Sequence, residues 1–150
     1  MKKIKIERMN HAKNLPLPSY ASNNCSGLDL YAANTKDIII KKGNIEIIST
    51  GLKVSLENNL EGQIRPRSGL ALKHGITVLN SPGTIDSDYR GEIKIILINH
   101  GNSRFVVKRG MRIAQLVIIK VEKIKWNEKK ISLNTKRKDS GFGSTGLRKW

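Results

Sequence analysis

Short apolar runs separated by turn residues are the feature of this sequence that most restricts its fold. The runs lie at residues 4–6, 38–40, 45–47, 93–97 and 113–121. Most alternate apolar with other side chains, which is the two-residue period of a strand. Glycine-containing pairs such as Lys42-Gly43 and Pro82-Gly83 lie between them, as turn residues do between strands. The pattern predicts an all-β sandwich or barrel.

The longer runs also predict which side chains share a face. Alternate apolar residues share one face in 45–47 and in 93–97, and the alternate residues of 113–121 do likewise. Gln115 belongs to that last set. A buried amide needs hydrogen-bond partners, and either a protein group or a bound phosphate could supply them.

Length and composition indicate one domain with an aliphatic core. The chain has 150 residues, 38% of them apolar and 5% aromatic, so β-branched and leucine side chains must fill the core. From Ser132 the sequence is polar and basic with several glycines, and such a segment buries little apolar surface. We therefore predict a β-domain over residues 1–131 and a flexible C-terminal arm over 132–150.

Cysteine usage and hydropathy predict a cytoplasmic protein with no membrane segment. Cys25 is the single cysteine and cannot close a disulfide within the chain, which favours a reducing compartment. No apolar run approaches the length of a membrane-spanning helix. The basic start of the chain also lacks the apolar segment of a signal peptide.

The formal net charge of +16 leaves the partner open. It is compatible with nucleic acid, whose phosphates lysine and arginine neutralise, with a small polyphosphate on a basic surface, or with a coding bias toward lysine, isoleucine and asparagine. Base-stacking modules use several exposed rings, whereas the two Phe, three Tyr and two Trp residues here are scattered. The aromatic content therefore weighs against a nucleic-acid-binding β-barrel.

The segments Ser26–Ala33 and Arg65–Ala71 carry charged residues near strand ends. Asp29 points away from its apolar neighbours on an apparent strand, and taken alone it is interpreted as an outward, solvated carboxylate. Arg67 is a fork-shaped donor for phosphate or carboxylate. Ser68-Gly69 opens the one helical signal, predicted as one or two turns capped by Ser68, where free N–H groups can hold phosphate oxygens. An ordinary capped turn is the alternative.

The segment Asn80–Glu92 is rich in turn residues, which predicts a β-hairpin. Its edge would offer backbone donors and acceptors that can pair with a base, and Asp86 and Tyr89 would flank one pocket. A decorated turn is the alternative interpretation.

The segment Arg137–Gly146 places Phe142 among glycines. Glycines let the backbone approach phosphates, and Ser144 and Thr145 supply hydroxyls. An aromatic residue in such an arm suits a lid that closes over a flat ligand. A disordered basic tail is the alternative.

Taken together and in their order along the chain, these segments resemble the motifs of the trimeric dUTPase family. The resemblance runs from about Ser26 to Gly146 and is strongest in PRSGLA, GTIDSDYRGE, GMRIAQL and GFGSTG. It implies a jelly-roll-like β-clip subunit that forms a homotrimer, in which the arm of one subunit closes over a neighbour's active site. The implied activity is hydrolysis of dUTP to dUMP and pyrophosphate, which keeps uracil out of DNA and supplies dUMP for thymidylate synthesis.

The resemblance also implies roles for residues. Asp86 would be the general base that activates a water for attack on the α-phosphorus, because a carboxylate can accept the water's proton. Tyr89 would lie under the deoxyribose and exclude a 2′-hydroxyl. The uracil edge would be read at Asn80, Thr84, Ile85 and Lys94. The phosphate contacts of the domain would be Arg67, Ser68, Gly69 and Gln115. The arm would contribute Arg137, Gly143, Ser144 and Thr145 to the phosphates, and Phe142 to the base.

Mg²⁺ is the implied cofactor. This hard ion would bind the triphosphate oxygens and keep several waters, and Asp29 would hold one of those waters. The implied partners are dUTP and two further copies of the chain, with no nucleic acid or membrane required.

Two alternatives share the fold: a deaminase acting on dCTP and an inactive regulatory relative. The sequence IDSDYRG and the intact Asp86, Tyr89 and Arg137 favour the hydrolase. Lys138 and Ser140 stand where the family arm has glycines, which predicts a less flexible arm.

Overall fold

The computed structural model describes residues 3–140, and these form a β-protein with one short α-helix. The strands are β1 (Lys5–Arg8), β2 (Leu28–Tyr31), β3 (Ile38–Ile40), β4 (Ile45–Ser49), β5 (Leu52–Ser55), β6 (Leu60–Arg65), β7 (Ile76–Val78), β8 (Gly83–Ile85), β9 (Lys94–Asn99), β10 (Phe105–Val107) and β11 (Arg112–Lys120). A 3-10 helix spans Asn10–Ala12 and α1 spans Ser68–His74. The all-β prediction is confirmed.

Two larger sheets and two strand pairs build the fold. One sheet has the order β2-β11-β6-β8 and the other the order β4-β9-β7, while β1 pairs with β5 and β3 with β10. All the pairings are antiparallel, and none of these pairs joins two strands that follow one another in the sequence.

One core joins these sheets. Every strand from β2 to β11 contributes at least one side chain to a single cluster of buried apolar residues. Leu30, Ile48, Ile95 and Val107 in it are fully buried, and Phe105 is its one aromatic member among the described residues. An aliphatic core of this kind is what the composition requires, because so few aromatic residues are present.

The predicted faces hold for both β9 and β4, but only the apolar face of β9 is buried. Ile93, Ile95 and Leu97 are buried together. Ile45 and Ile47, by contrast, are 49% and 59% exposed, while Ile48 is fully buried. Strand β4 is paired only with β9, and its face that carries Ile45 and Ile47 is left uncovered by the described chain.

The single-face prediction for 113–121 is wrong at Ile113 because β11 contains an irregularity, whereas Gln115, Val117 and Ile119 keep a regular register with β6 and share a face. Its pairing with β2 shifts register between Arg112 and Ala114, as at a β-bulge. Ile113 and Ala114, although adjacent, therefore both enter the core, and Leu116 and Val117 are also both buried. A strand between β2 and β6 that is covered on both faces cannot show a simple alternation.

Residues 121–140 follow β11 without helix or strand. Exposed apolar side chains recur along them at Ile124, Trp126, Ile131 and Leu133. The described part of the predicted arm belongs to this segment. No helix within residues 3–140 combines the length and apolar character needed to cross a membrane.

Candidate active site

Two cavities collect most of the residues singled out by the sequence. The Arg67 cavity, of about 470 Å³, lies beside α1, and the Tyr89 cavity, of about 290 Å³, lies beside β8. The Arg67 cavity is lined by the predicted residues Asp29, Arg67, Ser68, Gly69 and Gln115. The Tyr89 cavity is lined by the predicted residues Asn80, Thr84, Ile85, Asp86, Tyr89 and Lys94. The two cavities share no lining residue.

Asp29 is not the solvated carboxylate that its strand position suggests. Its Oδ1 lies 3.0 Å from Nε of Arg67 and its Oδ2 lies 3.0 Å from Nη1 of Arg112, and its side chain is only 15% exposed. The three groups meet because β11, which begins at Arg112, lies between β2 and the end of β6. Charge-assisted contacts of this kind fix both guanidinium groups, whose remaining N–H donors stay available to an anion.

Arg112 is a residue that the sequence reasoning missed. It precedes Ile113 in the segment GMRIAQL, and an arginine at the start of a strand that carries Gln115 is the signal that could have drawn attention to it. Its carbonyl oxygen also accepts a hydrogen bond from Nη1 of Arg67 at 3.2 Å. Arg67 is thus held by both the backbone carbonyl of Arg112 and the carboxylate of Asp29.

The predicted helix is present, but its cap is not Ser68. Helix α1 begins at Ser68, and Arg67 is the capping residue, with extended backbone angles of −98° and 127° and no side-chain cap hydrogen bond. The carbonyl of Arg67 accepts the N–H groups of Leu70 and Ala71. Ser68 and Gly69 occupy the first positions of the helix, where N–H groups have no acceptor within the helix.

Gln115 uses its amide to tie two segments of the Arg67 cavity together. Its Nε2 donates to the carbonyl of Pro66 at 2.9 Å, so the partner found for the amide nitrogen is a protein group. The amide also lies against Gly27, where an added Cβ would collide with Oε1 of Gln115. A side chain at position 27 would therefore require the Gln115 side chain to move.

The predicted β-hairpin around Asp86 is wrong in its strand pairing. Strand β8 pairs with β6, whereas β9 pairs with β4 and β7. The loop from Asp86 to Ile93 therefore passes from one sheet to the other. The predicted backbone edge remains, because β8 is the last strand of its sheet and one row of its backbone groups is not paired within that sheet.

The loop presents an acid and an aromatic ring. The N–H of Tyr89 donates to the carbonyl of Asp86 at 3.1 Å, and Oη of Tyr89 donates to the carbonyl of Glu92 at 3.0 Å. The Asp86 side chain is exposed, and within residues 3–140 it has no hydrogen-bond or ion-pair partner. A carboxylate in this situation can accept a proton from a nearby water.

The described end of the arm forms a turn. Nε of Arg137 donates to the carbonyl of Ser140 at 2.9 Å, and the N–H of Ser140 donates to the carbonyl of Arg137 at 3.0 Å. Lys138 has a φ of 48°, in the left-handed region that glycine adopts without cost. Arg137 lines neither cavity. The predicted contacts Phe142, Gly143, Ser144 and Thr145 lie outside the described residues.

The described structure is thus an all-β protein with an arginine-rich cavity at one end of β11 and an aspartate–tyrosine cavity beside β8. The dUTPase family model matches residues 13–146. The deoxyuridine 5'-triphosphate nucleotidohydrolase of Rickettsia typhi is 55% identical over 145 residues, which cover 96% of this chain and 97% of that protein. The protein of the same name from Ehrlichia canis is 56% identical over 146 residues, which cover 96% and 95%. The chain therefore belongs to the dUTPase family.

Solved structures share the fold at much lower identity. A dUTPase of Staphylococcus bacteriophage 80alpha with dUPNHPP has a TM-score of 0.85 at 20% identity, covering 98% of this chain and 100% of that one. A mutant dUTPase from S. aureus phage phi11, whose structure concerns the coordination of a structural Mg(II) ion, has a TM-score of 0.77 at 17% identity, covering 87% and 99%. At these identities the similarity establishes the fold.

Proposed function

We propose that the protein is a dUTP diphosphatase, which hydrolyses dUTP to dUMP and pyrophosphate. The observation that carries the proposal is that the predicted contact residues of the domain fall into two groups, one in each cavity. Those expected to contact base and sugar line the Tyr89 cavity, and those expected to contact phosphates line the Arg67 cavity. The names of the relatives from Rickettsia typhi and Ehrlichia canis support the same activity.

In the proposed reaction, Asp86 removes a proton from a water molecule whose oxygen attacks the α-phosphorus. The bond from that phosphorus to the bridging oxygen breaks, and pyrophosphate leaves. The exposed and unpaired state of the Asp86 carboxylate within residues 3–140 suits a general base. Little covalent work falls to the protein, so positioning and charge stabilisation would supply most of the rate.

The base and the sugar would occupy the Tyr89 cavity. The unpaired edge of β8 at Thr84 and Ile85, together with Asn80 and Lys94, would read the uracil edge. Unsatisfied hydrogen-bonding groups would then reject cytosine. The Tyr89 ring would lie against the deoxyribose and leave no space for a 2′-hydroxyl.

The triphosphate would extend into an Arg67 cavity. Arg67, Ser68, Gly69 and Gln115 would contact the phosphates, with Arg67 kept in place by Asp29. Arg137, Gly143, Ser144 and Thr145 of the arm would complete these contacts, and Phe142 would stack on the base. The domain over residues 1–131 would thus bind the base, the sugar and the phosphates, and the arm over residues 132–150 would add contacts to the phosphates and the base.

Mg²⁺ is proposed as a cofactor carried by the substrate. Among residues 3–140 no three His, Cys, Asp or Glu side chains come together, and Asp29 is the one carboxylate that lines the Arg67 cavity. Such a donor set fits an ion held mainly by phosphate oxygens. Since Arg67 and Arg112 take one position on each Asp29 oxygen, a carboxylate with about four acceptor sites can still hold a metal-bound water. When bound, the ion would neutralise phosphate charge.

A homotrimer is proposed as the active form. The separation of the two cavities suggests that a complete site takes the Tyr89 cavity from one subunit and the Arg67 cavity from another. Exposed apolar side chains at Ile45 and Ile47, and at Trp126 and Ile131 after the last strand, support burial against further copies. A closed ring of identical subunits has the symmetry expected of homo-oligomers.

The test is pyrophosphate release from dUTP, dCTP, dTTP and UTP, each with and without Mg²⁺, together with ammonia release from dCTP. Rapid, Mg²⁺-dependent release from dUTP alone is expected. Ammonia release from dCTP would instead identify a deaminase, and no turnover of any nucleotide would contradict the proposal.

A further inference from the structure

We infer that Glu92 is a positioning residue that sets the orientation of Tyr89, and with it the preference for deoxyribose over ribose. The inference rests on the proposed function and extends it to the Glu92 side chain, to which the family resemblance assigns no role. The contacts that carry it run from the N-terminal 3-10 helix to the loop between β8 and β9.

The Glu92 carboxylate is fixed by two elements outside its own loop. Its Oε1 accepts the N–H of Gly51 at 2.8 Å and lies 3.0 Å from Nε2 of His11. Its side chain is only 12% exposed. Gly51 belongs to the turn between β4 and β5, and His11 belongs to the 3-10 helix, so the carboxylate joins three separate segments.

Those two anchors are themselves held. The carbonyl of Gly51 accepts the N–H of Met9 at 2.8 Å, and Nη2 of Arg109 donates to the carbonyl of His11 at 2.7 Å. A side chain that binds two groups held in this way has its own position restricted, so its hydrogen bonds help to fix the backbone to which it is attached.

The backbone of Glu92 is in turn the partner of Tyr89. Oη of Tyr89 donates to the Glu92 carbonyl at 3.0 Å. The ring also lies so close to Gly91 that an added Cβ there would collide with it. The position of the ring therefore follows the path of residues 91 and 92. The backbone of Ile93 ties one end of that path to Leu52 and Thr50, and the Glu92 side chain adds a second tie, to Gly51 and His11.

The expected consequence is selective. A ring that drifts when its anchor is lost would still allow dUTP to bind, but it would exclude a 2′-hydroxyl less strictly, because steric rejection depends on rigid placement. Loss of Glu92 should therefore reduce the ratio of kcat/KM for dUTP to kcat/KM for UTP. A purely structural role would lower both values together and leave the ratio unchanged.

The experiment measures this ratio for the full-length wild type and for Glu92→Ala, Glu92→Gln, His11→Ala and Tyr89→Phe. Glu92→Ala should lower it about fivefold, the value of one hydrogen bond. Glu92→Gln keeps an acceptor oxygen for Gly51 and His11 and should stay close to wild type. His11→Ala removes one of two donors and should give a smaller loss, which carries the test if Glu92→Ala does not fold.

A double-mutant cycle and a destabilised control complete the design. If Glu92 acts through the Tyr89 hydroxyl, Glu92→Ala should add almost nothing to Tyr89→Phe, because groups acting through one contact are not additive. Val107→Ala, a core change on β10, should lower stability and leave the ratio unchanged. An unchanged ratio in Glu92→Ala, or additive effects, would overturn the inference while leaving the proposed function intact. No dUTP hydrolysis by the wild type would overturn both.

Discussion

Nε of Arg67 lies 3.0 Å from Oδ1 of Asp29, and this contact joins two parts of the chain that do not pair directly. Arg67 follows β6 and Asp29 lies in β2, with β11 between these strands. The arginine is thereby held over a cavity instead of extending into solvent. Its direction is set by a carboxylate two strands away in the same sheet.

The first prediction concerns this contact. Asp29→Asn should lower kcat/KM for dUTP by on the order of a hundredfold, because an arginine displaced by about an ångström no longer meets the phosphates correctly. Steady-state kinetics with and without excess Mg²⁺ would measure the loss. Asp37→Asn, at an exposed aspartate outside both cavities, is the control. Equal activity of the two variants would refute the role given to Asp29.

The second prediction concerns the general base. Asp86→Asn should lower kcat by about a hundredfold to ten-thousandfold, the usual contribution of a positioned base, with a much smaller change in KM. Asp88→Asn alters an exposed aspartate of the same loop and should retain activity. Pyrophosphate release under saturating dUTP distinguishes them, and a fully active Asp86→Asn would exclude the proposed mechanism.

The third prediction concerns packing against Gln115. Gly27→Ala should displace the Gln115 amide and break its bond to Pro66, at a cost of about 1–2 kcal/mol in the free energy of unfolding. Gly69→Ala is the matched change, since nothing lies within 4 Å of the added Cβ. Urea unfolding of both variants measures the difference. Similar midpoints would show that the space beside Gly27 can adapt.

The fourth prediction concerns assembly. The full chain should sediment at three times its mass of 16.8 kDa. Trp126→Ala should weaken the trimer by about 2 kcal/mol or more, as loss of a buried aromatic anchor does, whereas Lys125→Ala at the adjacent exposed position should not. Sedimentation across a dilution series provides the readout. A monomeric wild type would contradict the shared-site proposal.

Local pattern and resemblance predicted the strand content, the aliphatic core and several of the residues that line each cavity, although not Arg112. They did not predict pairing partners. The loop after β8 contains the turn residues of a hairpin, yet the strands on either side of it belong to different sheets, and only long-range contacts decide that. The prediction that Asp29 is solvated was wrong for the same reason, because its partners Arg67 and Arg112 come from distant parts of the sequence.

The irregularity in β11 has a consequence for the chemistry of the Arg67 cavity. Arg112 and Gln115 are three positions apart, so in a regular strand they would point to opposite sides of the sheet. The register shift between Arg112 and Ala114 changes this parity, and both side chains reach the same cavity. One residue more or fewer at this point would exchange a charged wall for an apolar one. The length of the chain at the start of β11 is therefore as much a determinant of anion binding as the identity of its side chains.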